Sequence, residues 1–182
     1  MNIGIDLDNT ICNTSEIINY YLKDYSTETG MDIDEIVNDG DLKQSFFNIY
    51  LEDIYTNVKA KKEAIEFINK LKSRGNKIYI ITARSSDITF AIKDVKKITL
   101  DWLNKNNLSF DQIVFSVYGD SKKEACNNLN IDIMIDDDIY NFERINSGRT
   151  RCFLYDEENK YKDNKNIFRK WKEIENYFER GL

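Results

Sequence analysis

The chain has 182 residues and a mass near 21.5 kDa, which is one domain with room for at most a small subdomain. It contains no histidine, which excludes a Ser-His-Asp or Cys-His triad and any His-ligated zinc site and leaves acid–base work to carboxylates, Lys, Tyr or Cys. Its net charge of −6, from 26 basic and 32 acidic residues with no basic tract, argues against binding long DNA or RNA.

Ile, Leu, Val and Phe number 51 of the 182 residues, enough apolar side chain to expect a packed core. Residues 2–6 (N-I-G-I-D) read as a short strand that runs into Asp6-Leu7-Asp8-Asn9-Thr10. The next stretch holds no convincing strand and carries aromatic helical pieces such as Phe46-Phe47-Asn48-Ile49-Tyr50-Leu51. A structureless loop of that length is out of place in a compact domain. Residues 15–58 are therefore expected to form a small helical cap inserted after the first strand, with a turn and short helix near residues 30–41. Residues 1–14 and 59–182 would form the main α/β domain.

Ala60, Ala64, Ile65, Ile68 and Leu71 then recur at helical spacing, and Gly75 stops the run as a C-cap does. Residues 77–82 (K-I-Y-I-I-T) are an apolar second strand ending in Thr82-Ala83-Arg84. Ile92, Val95, Ile98, Thr99 and Trp102 form another helical stripe, and residues 112–116 a third strand. Ser121 is placed to cap a helix over residues 122–129. Residues 131–136 make a fourth strand that ends in Asp136-Asp137-Asp138, with Asp138 expected to cap a helix starting near Ile139. A fifth strand covers residues 151–155, and a last helix residues 167–178 with Trp171, Ile174 and Phe178 inward.

Alternating strands and helices of this kind specify an α/β domain with a doubly wound parallel sheet, which binds ligands beyond the carboxyl ends of its strands. Those ends carry Asp6 and Asp8, Thr82 and Arg84, and Asp136 to Asp138. Carboxylates gathered so closely raise one another's pKa and coexist at low cost only around a cation. An all-oxygen donor set points to Mg²⁺ rather than zinc. One carboxylate can attack a phosphate as a nucleophile, and a second, two residues on, can serve the leaving group as acid and then water as base. A hydroxyl and an ammonium can hold the phosphoryl oxygens. Cys12, Cys126 and Cys152 lack metal or redox spacing and read as reduced thiols. The start of the chain shows no leader pattern and no apolar run spans a membrane, so a cytoplasmic protein is expected.

Asp6-Leu7-Asp8-Asn9-Thr10 resembles motif I (DxDxT) of the haloacid dehalogenase (HAD) superfamily of phosphohydrolases. Thr82 resembles its motif II, Lys122 in S-K-K-E-A-C its motif III, and Ile135-Asp136-Asp137 its motif IV, in the same order along the whole chain. The stretch from Ile54-Tyr55 to Ile80-Ile81-Thr82-Ala83-Arg84 is similar to the 5′(3′)-deoxyribonucleotidase-like, type C nucleotidase family. The resemblance implies a Rossmann-like five-stranded sheet in the order 5-4-1-2-3. It makes Asp6 the nucleophile and Asp8 the general acid and base. It assigns Mg²⁺ to Asp6, the Asp8 carbonyl and Asp137, with Asp136 close by, and the phosphoryl group to Thr82 and Lys122. Ala83 and Arg84 would line the substrate, with a surface salt bridge the competing role for Arg84.

The expected activity is that of a Mg²⁺-dependent phosphomonoesterase working through an aspartyl-phosphate, with a (deoxy)nucleoside monophosphate as substrate. A sugar phosphate or phosphoserine is the alternative substrate. A phospho-accepting signalling domain is a more distant one, since such domains place the Lys after the acidic residues. The partner is then a small phosphorylated molecule, not a nucleic-acid polymer or a membrane, and oligomeric state is left open, a homodimer included.

Overall fold

The computed structural model describes residues 1–85 and 94–180. Strand β1 (Asn2–Ile5) is followed by three helices, α1 (Thr14–Thr29), α2 (Ile33–Asn38) and α3 (Gly40–Asn57). Next come α4 (Lys62–Ser73), β2 (Lys77–Ile81), α5 (Val95–Lys105), β3 (Gln112–Val114) and α6 (Asp120–Asn128). The chain ends with β4 (Ile133–Asp136), α7 (Ile139–Asn146), β5 (Arg151–Tyr155), β6 (Ile167–Phe168) and α8 (Trp171–Glu179). The strands form one parallel sheet in the order β3-β2-β1-β4-β5-β6.

Successive residues of a strand point to opposite faces, and here both faces are apolar. Ile3, Ile5, Ile78, Ile80, Ile133 and Ile135 pack against α4, α5 and α8 through Phe67, Ile68, Trp102 and Trp171. Tyr79, Ile81, Met134 and Cys152 face the other way, against Cys126 of α6 and Ile145 of α7. The sheet is thus doubly wound. Gly4 belongs to this second face, where a Cβ would stand 2.8 Å from the Met134 sulfur and 3.1 Å from Ile81 Cδ1. Glycine lets β1 lie this close beneath those side chains, and a larger residue would have to displace the end of Met134. Helix α4 ends as its sequence suggests. Gly75 takes φ 83°, its N–H donates to the Lys72 carbonyl, and the Asn76 N–H reaches back to Leu71.

The sheet has six strands, not the expected five. The added β6 pairs with β5 at the edge, so the order of the other five is as expected. Two residues are too few to show an alternation in sequence. Ile167 and Phe168 therefore read as the start of the last helix, which instead begins at Trp171. Glu173 sets that start by accepting the N–H groups of Arg169 and Lys170. Helix α6 begins earlier than expected, at Asp120, and the Ser121 hydroxyl bonds to the Tyr118 carbonyl instead of capping it. Ile92 of the expected stripe lies outside the described residues.

Helices α1 to α3 bring together their own apolar cluster. Leu22, Tyr25, Ile36, Phe46, Leu51, Ile54 and Tyr55 pack together and rest on Val95 of α5. Of the aromatic run of α3, Phe46 is core, and Phe47 and Tyr50 are half-buried against it. Phe46 packs against Tyr25 and Tyr50, and Tyr50 stacks on Tyr21. No helix among the described residues is long and apolar enough to cross a membrane.

Candidate functional site

Strand β1 is the point where the strand order reverses: the chain proceeds to β2 and β3 on one side, and β4 to β6 lie on the other. A crevice opens at such a place beyond the carboxyl ends of the strands. Asp6 follows β1 directly, and its N–H donates to the Ile135 carbonyl at 2.9 Å, so the two strand ends are locked side by side. This brings Asp6 next to Asp136, the last residue of β4.

Lys122 joins them. It sits in the first turn of α6, is 2% exposed, and its Nζ donates to Asp6 Oδ1 at 2.6 Å and Asp136 Oδ2 at 2.8 Å. Asp136 is held further by the Asp138 N–H at 2.9 Å and the Asn141 side-chain amide at 3.1 Å. It is fully buried, and its bonds make it the anchor of Lys122. Asp137 turns toward the partly exposed side, where Thr10 Oγ1 lies 3.4 Å from its Oδ1. Asp138 caps α7 by accepting the Asn141 N–H, as expected.

One ammonium serves several carboxylates here, and the imbalance shows in their acidity. Burial pushes the Asp6 carboxyl well above the usual range; Lys122 opposes this, while Asp136 and Asp137 add to it. Burial, reinforced by Asp136, pushes Asp137 up to about 7. Burial disfavours the Lys122 charge too, but the two carboxylates outweigh it and raise its pKa.

Asp8 is held differently. Its backbone precedes Asn9, which turns the chain at φ 57°, a conformation Asn tolerates. Arg84 Nη2 donates to Asp8 Oδ1 at 2.7 Å and Nε to Oδ2 at 3.0 Å, while Thr14 Oγ1 donates to Oδ1 at 2.6 Å. Burial alone would raise the Asp8 pKa, but Arg84 and Thr14 together bring it below the usual value. The Cys12 thiol lies against this group and is pushed by burial up to about 12, so it stays a thiol at neutral pH.

The expected site residues thus divide. Asp6, Asp8, Ala83, Lys122, Asp136 and Asp137 all line one cavity of about 430 Å³. Thr82 is fully buried at the end of β2, where its hydroxyl accepts the Arg84 N–H at 3.2 Å. Arg84 is neither on the surface nor on the cavity wall; its side chain is fully buried. The sequence reading passed over Thr14, Asn141 and the rim of the cavity. Tyr118 and Tyr140 stand there 70% and 66% exposed. An Asn or Tyr in the first turn of a helix, or a Tyr in a loop, carries no signal in a single sequence that separates it from its many ordinary occurrences.

No three carboxylate or thiol side chains among the described residues form a ready metal cluster. The donors nonetheless suit Mg²⁺: they are oxygens only, and a divalent cation would balance the carboxylate charge that Lys122 leaves uncompensated. Asp6, Asp137 and the Asp8 carbonyl are the groups that could hold it.

The chain matches, over residues 1–180, the protein family described as 5′ nucleotidase, deoxy (pyrimidine), cytosolic type C protein. A search of curated proteins gave no match. Among solved structures, a predicted phosphatase from Clostridium acetobutylicum shares 18% identity at a TM-score of 0.69, covering 98% of both chains. A haloacid dehalogenase-like hydrolase from Streptococcus pneumoniae shares 16% at 0.68, with 97% of both chains covered. A HAD family hydrolase from Deinococcus radiodurans, with bound phosphate and sodium, shares 14% at 0.67, covering 98% of this chain and 95% of the other. These likenesses extend the shared fold across the whole chain. By this match the chain belongs to the family described as 5′ nucleotidase, deoxy (pyrimidine), cytosolic type C protein, and it is a phosphoric monoester hydrolase.

Proposed function

We propose that the protein is a Mg²⁺-dependent phosphatase that releases phosphate from (deoxy)nucleoside monophosphates through an aspartyl-phosphate on Asp6. The observation that carries this reading is the Lys122 ammonium shared between Asp6 and Asp136 at 2.6 and 2.8 Å. These three side chains can serve as nucleophile, phosphoryl-binding cation and anchoring carboxylate at one strand edge. The Asp6 carboxylate attacks phosphorus, and the ester P–O bond breaks. In the free site Arg84 and Thr14 favour the ionised Asp8; a proton taken up as the phosphate binds passes from its carboxyl to the leaving oxygen. Water then attacks the acyl phosphate, Asp8 takes the water proton, and the Asp6–phosphorus bond opens to restore the carboxylate. Lys122 neutralises charge on the phosphoryl oxygens as it builds. Bound Mg²⁺ would add charge neutralisation and hold the phosphate against Asp6. We take α1 to α3 as the cap over this site.

The nucleoside part of the proposal is supported by the family match and by the aromatic rim. Tyr118 and Tyr140 offer exposed ring faces beside the cavity, on which a base can stack. The test is phosphate release from nucleoside monophosphates, sugar phosphates and phosphoserine, with Mg²⁺ and with EDTA. The expected result is Mg²⁺-dependent release that is highest on nucleotides and absent in Asp6→Asn. A profile in which nucleotides rank no higher than sugar phosphates overturns the substrate. Equal activity of Asp6→Asn and the parent overturns the mechanism.

A further inference from the structure

Arg84 follows the Thr82-Ala83 strand end, yet it is not among the residues that line the cavity. Its side chain is fully buried. Nε and Nη2 grip both oxygens of Asp8 at 3.0 and 2.7 Å, and Nη1 reaches the Thr99 hydroxyl of α5 at 3.4 Å. The Tyr55 ring of α3 lies over the guanidinium, 4.0 Å from its central carbon. Thr14, the first residue of α1, holds Asp8 from another direction at 2.6 Å. Asp8 is thus fixed from both ends of the helical insert, by Thr14 directly at its entry and by Tyr55 near its exit through the buried Arg84. A two-point guanidinium clamp under an aromatic ring favours the ionised carboxylate, so what it gives Asp8 is a fixed direction and not a held proton.

We propose that Arg84 is a positioning residue: with Thr14 and Tyr55 it fixes the orientation from which Asp8 exchanges its proton with the leaving oxygen and then with water, and so ties that exchange to the seating of the insert. The inference rests on the reading of Asp8 as general acid and base. The proton given to the leaving group is returned from water in the second step, so the cycle balances without another proton source.

Leaving-group dependence tests it. An alkoxide such as a nucleoside 5′-oxygen needs protonation as it departs, whereas p-nitrophenolate does not. The value of kcat/KM extends only through departure of the leaving group, so it isolates that step. Positioned acid–base groups contribute about 10²–10⁴-fold. Arg84→Lys keeps the charge but loses the planar two-point grip. It should lower kcat/KM on a nucleoside monophosphate by about 10²-fold. On p-nitrophenyl phosphate the loss should stay below about tenfold, following the same pattern as Asp8→Asn. Tyr55→Leu should shift the ratio the same way by about threefold to thirtyfold, while Tyr55→Phe keeps the ring and the parent ratio. Tyr55→Leu leaves both charges paired, so it carries the test even if Arg84→Lys fails to fold.

Equal losses on both substrates, a rise in KM alone, or faster nucleotide turnover in Arg84→Lys each overturn the proposal. They would make Arg84 a structural residue, a phosphate ligand or a latch, respectively. If the parent hydrolyses both substrates and only the ratio is unmoved, the phosphatase reading stands and this inference falls. If the parent hydrolyses neither, both fall.

Discussion

Replacing Lys122 by Met tests whether the site is also a structural keystone. The side chain is 2% exposed and donates to Asp6 at 2.6 Å and to Asp136 at 2.8 Å, and Asp136 is fully buried. A hydrogen bond to a charged group contributes roughly 1.5–3 kcal/mol, so two amount to about 3–6 kcal/mol. Removing one partner of a buried ion pair costs about 3–5 kcal/mol by direct comparison, because the remaining charge stays desolvated. The two figures agree, and they are a large part of the ~5–15 kcal/mol that holds a domain together. Lys122→Met should therefore lower the Tm by on the order of 10 °C for a chain of this size. Methionine is of similar length and apolar, so little of the loss comes from packing. The assays are thermal melting for the Tm and urea denaturation for the free energy, both followed by far-UV circular dichroism. Adding Asp136→Asn to the variant removes one orphaned charge and should recover at least about 1 kcal/mol. A Lys122→Met protein within about 1 kcal/mol of the parent would refute the reasoning, as would a double variant no more stable than the single one.

Gly4→Ala should cost about 1–3 kcal/mol in the urea assay, since the new Cβ meets Met134 and Ile81 within 3.1 Å; a neutral result would mean that the Met134 side chain moves aside freely. Tyr118→Ala and Tyr140→Ala should each raise KM for a nucleoside monophosphate by about tenfold and leave glycerol phosphate nearly unchanged; equal effects on both would remove the base-stacking role. Glu175 accepts from Lys172 and Lys70, both at 2.6 Å, which holds its carboxyl down to about 2. Its stabilising share is present above the ordinary Glu pKa near 4.5 and is lost as the pH falls toward 2. Glu175→Gln should therefore flatten the loss of Tm over that interval, less so in high salt; an unchanged slope would show that the pair contributes nothing in solution.

The recurring apolar strands and helical stripes are local properties, because a two-residue or a 3.6-residue period is visible wherever the segment is long enough. Five of the strands follow from that alone; the helical insert follows from the lack of a strand over a stretch too long for a loop, and the cap at Asp138 from the preference of Asp for a helix start. Acidic residues directly after apolar strands also announce themselves, since a parallel sheet brings all such ends to one edge. The rest depends on contacts between distant segments. β6 exists because two residues find an open edge beside β5, and nothing within those two residues marks them. Arg84, adjacent to a strand-end Thr, has the sequence context of a ligand. Only the meeting of β1, β2, α1 and α3 turns it inward onto Asp8, some 76 positions away in the chain. Asp136 and Asp137 are likewise neighbours of one type in the sequence. The pleat of β4 sends the first into the Lys122 and Asn141 cluster and leaves the second at the cavity. Composition and period therefore determined the architecture and the edge where chemistry gathers. Tertiary packing decided which charge each carboxylate meets, because that depends on burial and on partners a hundred residues apart.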